Sequence, residues 1–192
     1  MKKRFRSLES VLSVICCVLL ASCGGQGGES DLEWGAFQND STNTVLTLGM
    51  QQEEIREQLP CQMNEENLDV LMAETNGNGS VPYGDTPENA ITVYYSNGVV
   101  TGIWVDESEN PMETSNWHVA GGITKGSTVE EIQEVYGENN RISEESVGQQ
   151  LTYTYNADWE RVETSDETVY IVNFVVGEDG LFSYTVELMP AD

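Results

Sequence analysis

The chain has 192 residues, of which 33 are acidic and 8 are basic, and its formal net charge at pH 7 is −25. A nucleic-acid-binding protein needs a basic surface to displace the counterions of the phosphate backbone, so we expect no nucleic-acid partner. A chain of this length can bury one sizeable hydrophobic core, or two small ones.

The first 22 residues have the pattern of an export signal. Four basic residues stand among the first six, and an apolar run, interrupted only by Ser13, fills positions 11–20. A membrane-spanning helix needs roughly 20 apolar residues to cross the hydrocarbon layer, which is about twice the length of this run. The pattern therefore predicts a secretory signal peptide over residues 1–22.

The predicted leader runs into the stretch Leu20-Ala21-Ser22-Cys23. This stretch resembles the lipobox of bacterial lipoproteins, in which a leucine and two small residues precede a cysteine. The resemblance implies that Cys23 is lipidated on its thiol and becomes the mature N-terminus, with fatty acids such as palmitate as the anchor. Because two or more acyl chains hold a protein stably on a membrane, we expect a lipid-anchored protein of the cell membrane or cell envelope, with its domain facing outside the cytoplasm. The alternative is an ordinary signal peptide with an incidental cysteine.

Cleavage before Cys23 would change both the charge and the cysteine count. The leader takes four basic residues and one acidic residue with it, so the mature chain has a net charge near −28. Such acidity is usually a solubility feature, and the sharper alternative is attraction to a cationic protein or to divalent cations. Cys16 and Cys17 leave with the leader, so only Cys61 remains beside Cys23 and no intramolecular disulfide is expected. We interpret Cys61 as a small core residue rather than a reactive thiol.

The segment after Cys23 is rich in Gly, Ser, Asn and acidic residues. This composition predicts a flexible tether over residues 23–43, which as a coil would span roughly 25 Å. Trp34 and Phe37 lie within it, and docking of these two side chains onto the domain would shorten it.

Two stretches of the remaining chain share one pattern. Residues 46–55 and 123–132, offset by 77 positions, both place a glycine before two glutamates and an isoleucine. Each predicts the start of a helix. In the second stretch Ser127 or Thr128 can cap the first turn, with a glutamate three residues later completing a capping box. The two predicted helices end at Pro60 and at Gly137.

Strand patterns follow each predicted helix in matching order. Asn97-Gly98 and Asp179-Gly180 supply the residues that tight hairpin turns need. The strands predicted at corresponding positions of the two copies are 68–73 and 151–155, 90–96 and 169–176, and 99–105 and 181–189. The corresponding polar loops are 75–89 and 156–167. The sequence therefore predicts an α+β fold of two tandem repeats, each with one helix (or two) packed on an antiparallel sheet of about three to four strands. The repeats span 44–106 and 119–192, with a linker over 107–118.

The motif G-x-x-x-x-E-I-x-x-x-Y-G at 126–137, followed by strands with a tight turn, resembles the β-lactamase-inhibitor-protein-like fold. It is also similar to the small outer-membrane-assembly lipoproteins, which carry one such unit. The resemblance covers residues 44–189, and the first copy departs from it with Leu59-Pro60 in place of Tyr-Gly. It implies a fold and a binding habit, and it names no target.

The sequence offers little catalytic chemistry. His118 is the only histidine, and no G-x-S-x-G elbow accompanies it, so we expect a structural or surface histidine. One histidine and one remaining cysteine disfavour a zinc site. The acidic runs at 106–109 and 158–167 lack the ligand spacing of a calcium loop, and calcium remains an open alternative. We therefore predict no catalytic residue, no metal and no cofactor.

The tryptophans are the better candidates for binding. Trp104 alternates with apolar residues on a hairpin strand, whereas Trp117 and Trp159 lie in predicted loops, where an exposed aromatic ring could anchor a partner. We name Trp104, Trp117, His118 and Trp159 as candidate partner-binding residues, and the alternative is that the three rings cover core edges. The hypothesis is a non-catalytic, inhibitor-like or binding lipoprotein for a protein or cell-wall partner. The alternatives are an envelope hydrolase using paired carboxylates and an outer-membrane assembly factor.

Overall fold

The computed structural model describes residues 32–106, 114–138, 141–145, 148–163 and 167–190. The predicted signal peptide, Cys23, and the first part of the predicted tether and of the linker lie outside the described residues. The described part is a mixed α+β fold with three α-helices and two antiparallel sheets, which confirms the predicted class.

The elements follow one another in this order. The helices are α1 (Gln52–Gln58), α2 (Glu65–Glu74) and α3 (Val129–Tyr136). The strands are β1 (Phe37–Asn39), β2 (Val45–Leu46), β3 (Gly79–Tyr83), β4 (Ile91–Ser96), β5 (Val99–Asp106), β6 (Trp117–Val119), β7 (Ile123–Thr124), β8 (Arg141–Glu145), β9 (Gly148–Tyr155), β10 (Val169–Gly177) and β11 (Gly180–Met189). Short 3-10 turns occur at Pro87–Asn89 and Ala120–Gly122.

One large sheet runs through both halves of the chain. Its seven strands lie in the order β3-β4-β5-β11-β10-β9-β8, and every neighbouring pair is antiparallel. The central pairing of β5 with β11 places Val105 opposite Tyr184 and Ile103 opposite Val186. Three of its strands come from the first half and four from the second, so both halves contribute to a single sheet. With the four strands of the second, smaller sheet, the eleven described strands outnumber the predicted three to four per unit.

The inner face of this sheet forms the core. Along β4, and along β10 from Val172 onward, every second residue is buried, as expected for strands with one face packed and the other exposed to solvent. Buried side chains of α1, α2 and α3 belong to the same hydrophobic cluster as the inner sheet residues, among them Ile55, Leu68 and Ile132. The helices thus cover the inner face, and the two halves share one core.

The small sheet, in the order β2-β1-β6-β7, covers the middle of the inner face. The ring of Phe37 stacks on Tyr184 with centroids 5.6 Å apart, and the Tyr184 hydroxyl donates a hydrogen bond of 2.6 Å to the Trp117 carbonyl. This corrects the predicted tether, since residues from Leu32 onward are described and β1 is fully incorporated. It also corrects the linker, whose last two residues, 117 and 118, lie in β6.

The helices α1 and α3 are entered in the same way. The Gly49 amide donates to the carbonyl of Val100, and the Val100 amide donates to the residue after Gly49. In the second half the Gly126 amide donates to the carbonyl of Leu181, and the Leu181 amide donates to the residue after Gly126. In both halves, therefore, the strand that follows the hairpin turn forms backbone hydrogen bonds with the glycine and with the residue after it, just before the helix begins.

Two local predictions were wrong. The segment 68–73, predicted as a strand, lies in α2, where Leu68 and Met72 are buried on one helical face. The Asn64 side chain caps this helix by accepting a 2.7 Å hydrogen bond from the Asn67 amide. The polar segment 75–89, predicted as a loop, contains β3. The other predicted strands, 90–96, 99–105, 151–155, 169–176 and 181–189, are found at those positions.

Candidate functional site

The outer face of the large sheet presents an aromatic pair at the junction of the two halves. Tyr94 on β4 and Trp104 on β5 are half-buried, and their rings stack with centroids 6.3 Å apart and planes at 28°. The Trp104 indole donates a 2.8 Å hydrogen bond to the hydroxyl of Ser183 on β11. This bond fixes the indole across the central strand pair, so its position is defined by both halves.

A glycine opens space beside this pair. Gly102 lies opposite Tyr94 on β4 and opposite Glu187 on β11. A Cβ atom at Gly102 would stand 3.3 Å from two Tyr94 carbons and 3.5 Å from Cγ of Glu187. The tyrosine ring therefore leans over the glycine, and the Glu187 side chain borders it on the other side.

Two carboxylates flank the aromatic pair. Asp106 and Glu187 are both exposed, and they are the only charged residues in β3, β4, β5, β9, β10 and β11. Burial raises the pKa of the Tyr94 phenol, and the charges of Glu187 and then Asp106 raise it further. Both carboxylates therefore act electrostatically on the phenol of Tyr94. We call Tyr94, Gly102, Trp104, Asp106, Ser183 and Glu187 the Trp104 patch.

A row of uncharged polar side chains continues from the patch across the second half. The Asn173 side-chain oxygen accepts hydrogen bonds of 2.7 Å from Thr152 and 3.2 Å from Gln150. Thr185 stands between Trp104 and Asn173 in the strand register. Its hydroxyl oxygen is buried and has no hydrogen-bond partner. A buried polar atom without a hydrogen-bond partner lowers the stability of the fold.

Trp117, the second candidate, is fully buried with 0% exposure. Its indole donates a 2.9 Å hydrogen bond to the Asn89 carbonyl, and its backbone forms part of β6. It was predicted in a loop, and the structure corrects this, because the residue belongs to the core beneath the small sheet. It cannot touch a partner in this conformation.

His118, the next residue, points away from Trp117 because neighbours on a strand alternate. Its Nδ1 lies 3.2 Å from a carboxylate oxygen of Asp40, and its side chain is only 12% exposed. Close by, the Asn89 side-chain oxygen accepts from the amides of Asn39 and Asn116 at 3.1 and 2.8 Å. These hydrogen bonds join the end of β1, the turn at Pro87–Asn89 and the residue before β6. His118 lies beside them, which favours a structural role for this residue.

Trp159 lies in an aromatic cluster at the far end of the second half. Its ring stacks on Tyr170 at 4.4 Å and fills the space beside Gly35, where a Cβ atom would stand only 2.1 Å from the indole. Trp34 packs edge-on against Tyr136 at 4.9 Å. The segment 32–36 thus packs against this aromatic cluster, and Trp159 is one of the residues that contact it.

The four candidates therefore do not share one exposed face. Only Trp104 lies on the outer face of the sheet. Sequence reasoning missed Tyr94, Gly102, Ser183 and Glu187, which complete its surroundings. A regular hairpin closed by Asn97-Gly98 would pair Tyr94 with Thr101 and place it on the face opposite to Trp104. The register shift between Tyr94 and Tyr95 pairs Tyr94 with Gly102 instead and brings it to the face of Trp104. No local signal indicates this shift, or that β11 is the other neighbour of β5.

A cleft and a half-buried thiol lie elsewhere in the described residues. A cleft of about 640 Å³ lies beside Cys61, Asp85 and Pro87. Cys61 is half-buried, and its thiol contacts the Pro82 carbonyl at 3.7 Å. Within the described ranges no three His, Cys, Asp or Glu side chains are placed to hold a metal ion. In the same part of the chain no helix is long and apolar enough to cross a membrane.

Comparisons with protein families, with characterised proteins and with solved structures found no match for this chain. The resemblances to bacterial lipoproteins and to the β-lactamase-inhibitor-protein-like fold therefore remain predictions. The case for a function must come from the chain's own residues.

Proposed function

We propose that this chain is a lipid-anchored protein of the bacterial cell envelope and a non-catalytic binding module. The observation that carries the binding role is the Trp104 patch, where two half-buried rings stand on an open sheet face. Aromatic side chains with polar tips are enriched at the centres of protein interfaces, because they bury large areas while keeping a hydrogen-bonding group. The Trp104 indole, already held by Ser183, is such an anchor.

The rigidity of the surface supports the same role. The patch lies on the central pair β5–β11, which is continuous with five further antiparallel pairings. Side chains on paired strands are held more precisely than side chains on loops, so the patch is preorganised for a partner. In the six strands of this sheet whose side chains are described, Asp106 and Glu187 are the only charged residues, so this part of the face is inexpensive to desolvate.

We further propose that the two halves are tandem repeats of one unit. The support is the pair of hydrogen bonds that joins each hairpin exit to its helix entry, at Gly49 and Val100 in one half and at Gly126 and Leu181 in the other. Under this proposal the patch forms where the last strands of the two repeats meet.

The anchor is tested by replacing Cys23 with alanine in the source cell and fractionating the membranes. The proposal expects the wild-type protein in the membrane fraction and the Cys23→Ala protein released from it or left unprocessed at higher mass. Membrane association and processing identical to wild type would contradict the lipoprotein assignment.

The binding role is tested by capture from the envelope. Tagged full-length protein is cross-linked in cells, extracted in mild detergent and compared with the Trp104→Ala and Trp34→Ala variants. Trp34 is the matched control, because it is 37% exposed on the helix side of the sheet, away from the patch. We expect an envelope component that is retained by wild type and by Trp34→Ala and lost from Trp104→Ala. Equal retention by both variants, or none above background for wild type, would remove the support for the proposal.

A further inference from the structure

We infer that the Trp104 patch binds an extended protein segment that carries two Lys or Arg side chains four residues apart. This inference deepens the proposed function and rests on it. It follows from the charge of the face, from the spacing of its two carboxylates and from the two rings beside them.

The negative charge of the outer face favours a partner with positive charge. In the six strands whose outer side chains are described, no Lys, Arg or His occurs, and the two charged residues, Asp106 and Glu187, are both acidic. The whole chain carries a net charge of −25, which adds a long-range field of the same sign. Such a field speeds the encounter with a cationic partner and repels an acidic one.

The distance between the two carboxylates favours a partner segment in an extended conformation. Asp106 lies two residues beyond Trp104 along β5, and Glu187 lies opposite Gly102, two residues before it. At 3.3 Å per residue the two acids are therefore separated by roughly 13 Å along the strand direction. In an extended segment, side chains i, i+2 and i+4 point to one side, so i and i+4 span the same distance. Two basic residues at these positions would reach both carboxylates at once.

Trp104 fills the position between the two charges along the strand direction. Tyr94 lies level with Glu187, on the other side of Gly102, and its ring stacks on Trp104 at 6.3 Å. The face of an aromatic ring attracts a cation and also packs the apolar stem of a Lys or Arg side chain. The side chain at i+2 would lie on these rings, and an apolar residue suits that place. Polysaccharide is the competing class of partner, since rings and amides also line sugar sites, but a neutral sugar gains nothing from the paired carboxylates.

The test uses synthetic peptides and the purified full-length protein in detergent. The probe is fluorescein-labelled Thr-Lys-Thr-Leu-Thr-Lys-Thr, in which the lysines are four residues apart. The controls are Thr-Lys-Lys-Thr-Leu-Thr-Thr, with the same composition and adjacent lysines, and Thr-Glu-Thr-Leu-Thr-Glu-Thr. By fluorescence anisotropy at low salt, we expect the probe to bind at least about fivefold more tightly than the adjacent-lysine peptide, and the glutamate peptide not to bind. The affinity should fall as salt shortens the Debye length from about 10 Å at 0.1 M to about 3 Å at 1 M.

A matched pair of protein variants separates this site from general acidic attraction. Glu187→Gln removes one carboxylate of the patch, and Glu134→Gln removes an exposed carboxylate on α3 with the same change of shape and charge. We expect Glu187→Gln to weaken probe binding at least about fivefold and Glu134→Gln to change it less than about twofold. Circular dichroism and the denaturation midpoint check that both variants keep the wild-type fold.

The outcomes distinguish the inference from the proposed function. Equal affinity for the two lysine peptides, or equal effects of the two Gln substitutions, would overturn the inference. If envelope capture still depends on Trp104 in that case, the binding role stands with a partner of other chemistry. If the captured component is a polysaccharide, the inference is overturned as well, whatever the peptides do.

Discussion

The two halves of the described chain enter a helix through the same pattern of backbone hydrogen bonds and differ in the core beside that entry. In each half a glycine with positive φ, Gly49 or Gly126, introduces a helix and bonds to the exit strand of a hairpin. In the first half the buried Tyr83 and Tyr95 lie in a core with aliphatic side chains such as Val93. In the second half Tyr136, Tyr153 and Phe174 are buried with their rings in mutual contact. The helix entry is formed by a turn and by backbone hydrogen bonds, so the same entry is compatible with cores of different composition.

The difference also decides where the N-terminal segment docks. In the first half, the hydroxyls of Tyr83 and Tyr95 bond to each other at 2.9 Å and close the core with a polar contact. In the second, the rings of Tyr136, Tyr155 and Trp159 remain open at one edge, and Trp34 and Gly35 cover them. The segment nearest the proposed lipid anchor is thus fastened to the aromatic half.

The largest expected effect compares the two cores directly. Phe174 on β10 and Val93 on β4 are both fully buried, each on the strand that enters a hairpin. Phe174→Ala removes a ring that touches Tyr136 and Tyr153, and we expect a loss of about 3–5 kcal/mol in the free energy of unfolding. Val93→Ala removes two methyl groups, and we expect roughly half that loss. Urea denaturation measures both, and equal losses would show that the aromatic cluster is not the tighter core.

The hairpin glycines provide the second comparison. Gly98 and Gly180 both have positive φ, at +77° and +98°. A Cβ atom at Gly98 meets nothing within 4 Å, whereas one at Gly180 would stand 2.4 Å from the carbonyl oxygen of Gly126. Gly98→Ala should therefore cost about 1–2 kcal/mol for backbone strain alone. Gly180→Ala should cost about 2–4 kcal/mol, because overpacking adds to the strain. Thermal and urea unfolding of the two variants give the difference, and equal costs would contradict the contact between hairpin and helix entry.

Turn chemistry is also what made part of the fold predictable. Asn97-Gly98 and Asp179-Gly180 indicated two hairpins, and their strands lie where the alternation placed them. The capping pattern at Thr128 likewise predicted α3, whose first turn has the reciprocal bonds of a capping box. These signals are local, so sequence alone was sufficient.

The failures have physical causes of their own. The stretch 68–73 is apolar and short, so strand and helix patterns compete there, and the deciding signal is the Asn64 cap four residues upstream. β1 is only three residues long and owes its place to Phe37 packing on Tyr184, a contact between residues far apart in the chain. The Trp104 patch was half-predicted for the same reason: Trp104 was identified, but Glu187 and Ser183 reach it only through the β5–β11 pairing.

The buried tyrosines allow a test by pH. Burial raises the pKa of Tyr153 to about 12, above its ordinary value near 10, and its hydroxyl donates a 3.2 Å hydrogen bond to the Gly137 carbonyl. Its contribution is complete below pH 10, where both the folded and the unfolded states are protonated. It is lost between pH 10 and 12, because only the unfolded state then releases the proton. We expect Tyr153→Phe to be about 1 kcal/mol less stable at pH 8 and to match or exceed wild type by pH 12. Urea midpoints across this range measure the crossing, and a constant gap would show that the phenol is not the titrating group.

The smallest expected losses of stability come from changing single contacts that hold α3 and α1 in place. α3 depends on its cap: the Thr128 hydroxyl accepts from the Glu131 amide at 3.2 Å, and the Glu131 carboxylate accepts from the Thr128 amide at 2.8 Å. α1 is tied to α2 by an ion pair between Arg56 and Asp69 at 2.8 Å, with side chains 31% and 63% exposed. Thr128→Ala leaves an amide at the helix start without its partner, so we expect a loss of about 1 kcal/mol.

Arg56→Gln breaks a pair that water already screens, so we expect a loss below about 0.5 kcal/mol. Salt separates the two mechanisms, because 1 M NaCl screens an exposed ion pair and leaves a cap formed by a neutral hydroxyl largely intact. The cost of Arg56→Gln should vanish at 1 M NaCl, while that of Thr128→Ala should persist, as measured by urea midpoints at both salt concentrations. A salt-sensitive cost at Thr128, or a salt-resistant cost above 1 kcal/mol at Arg56 (the scale of a cap), would mean that the helices of the two halves are held by something other than these contacts.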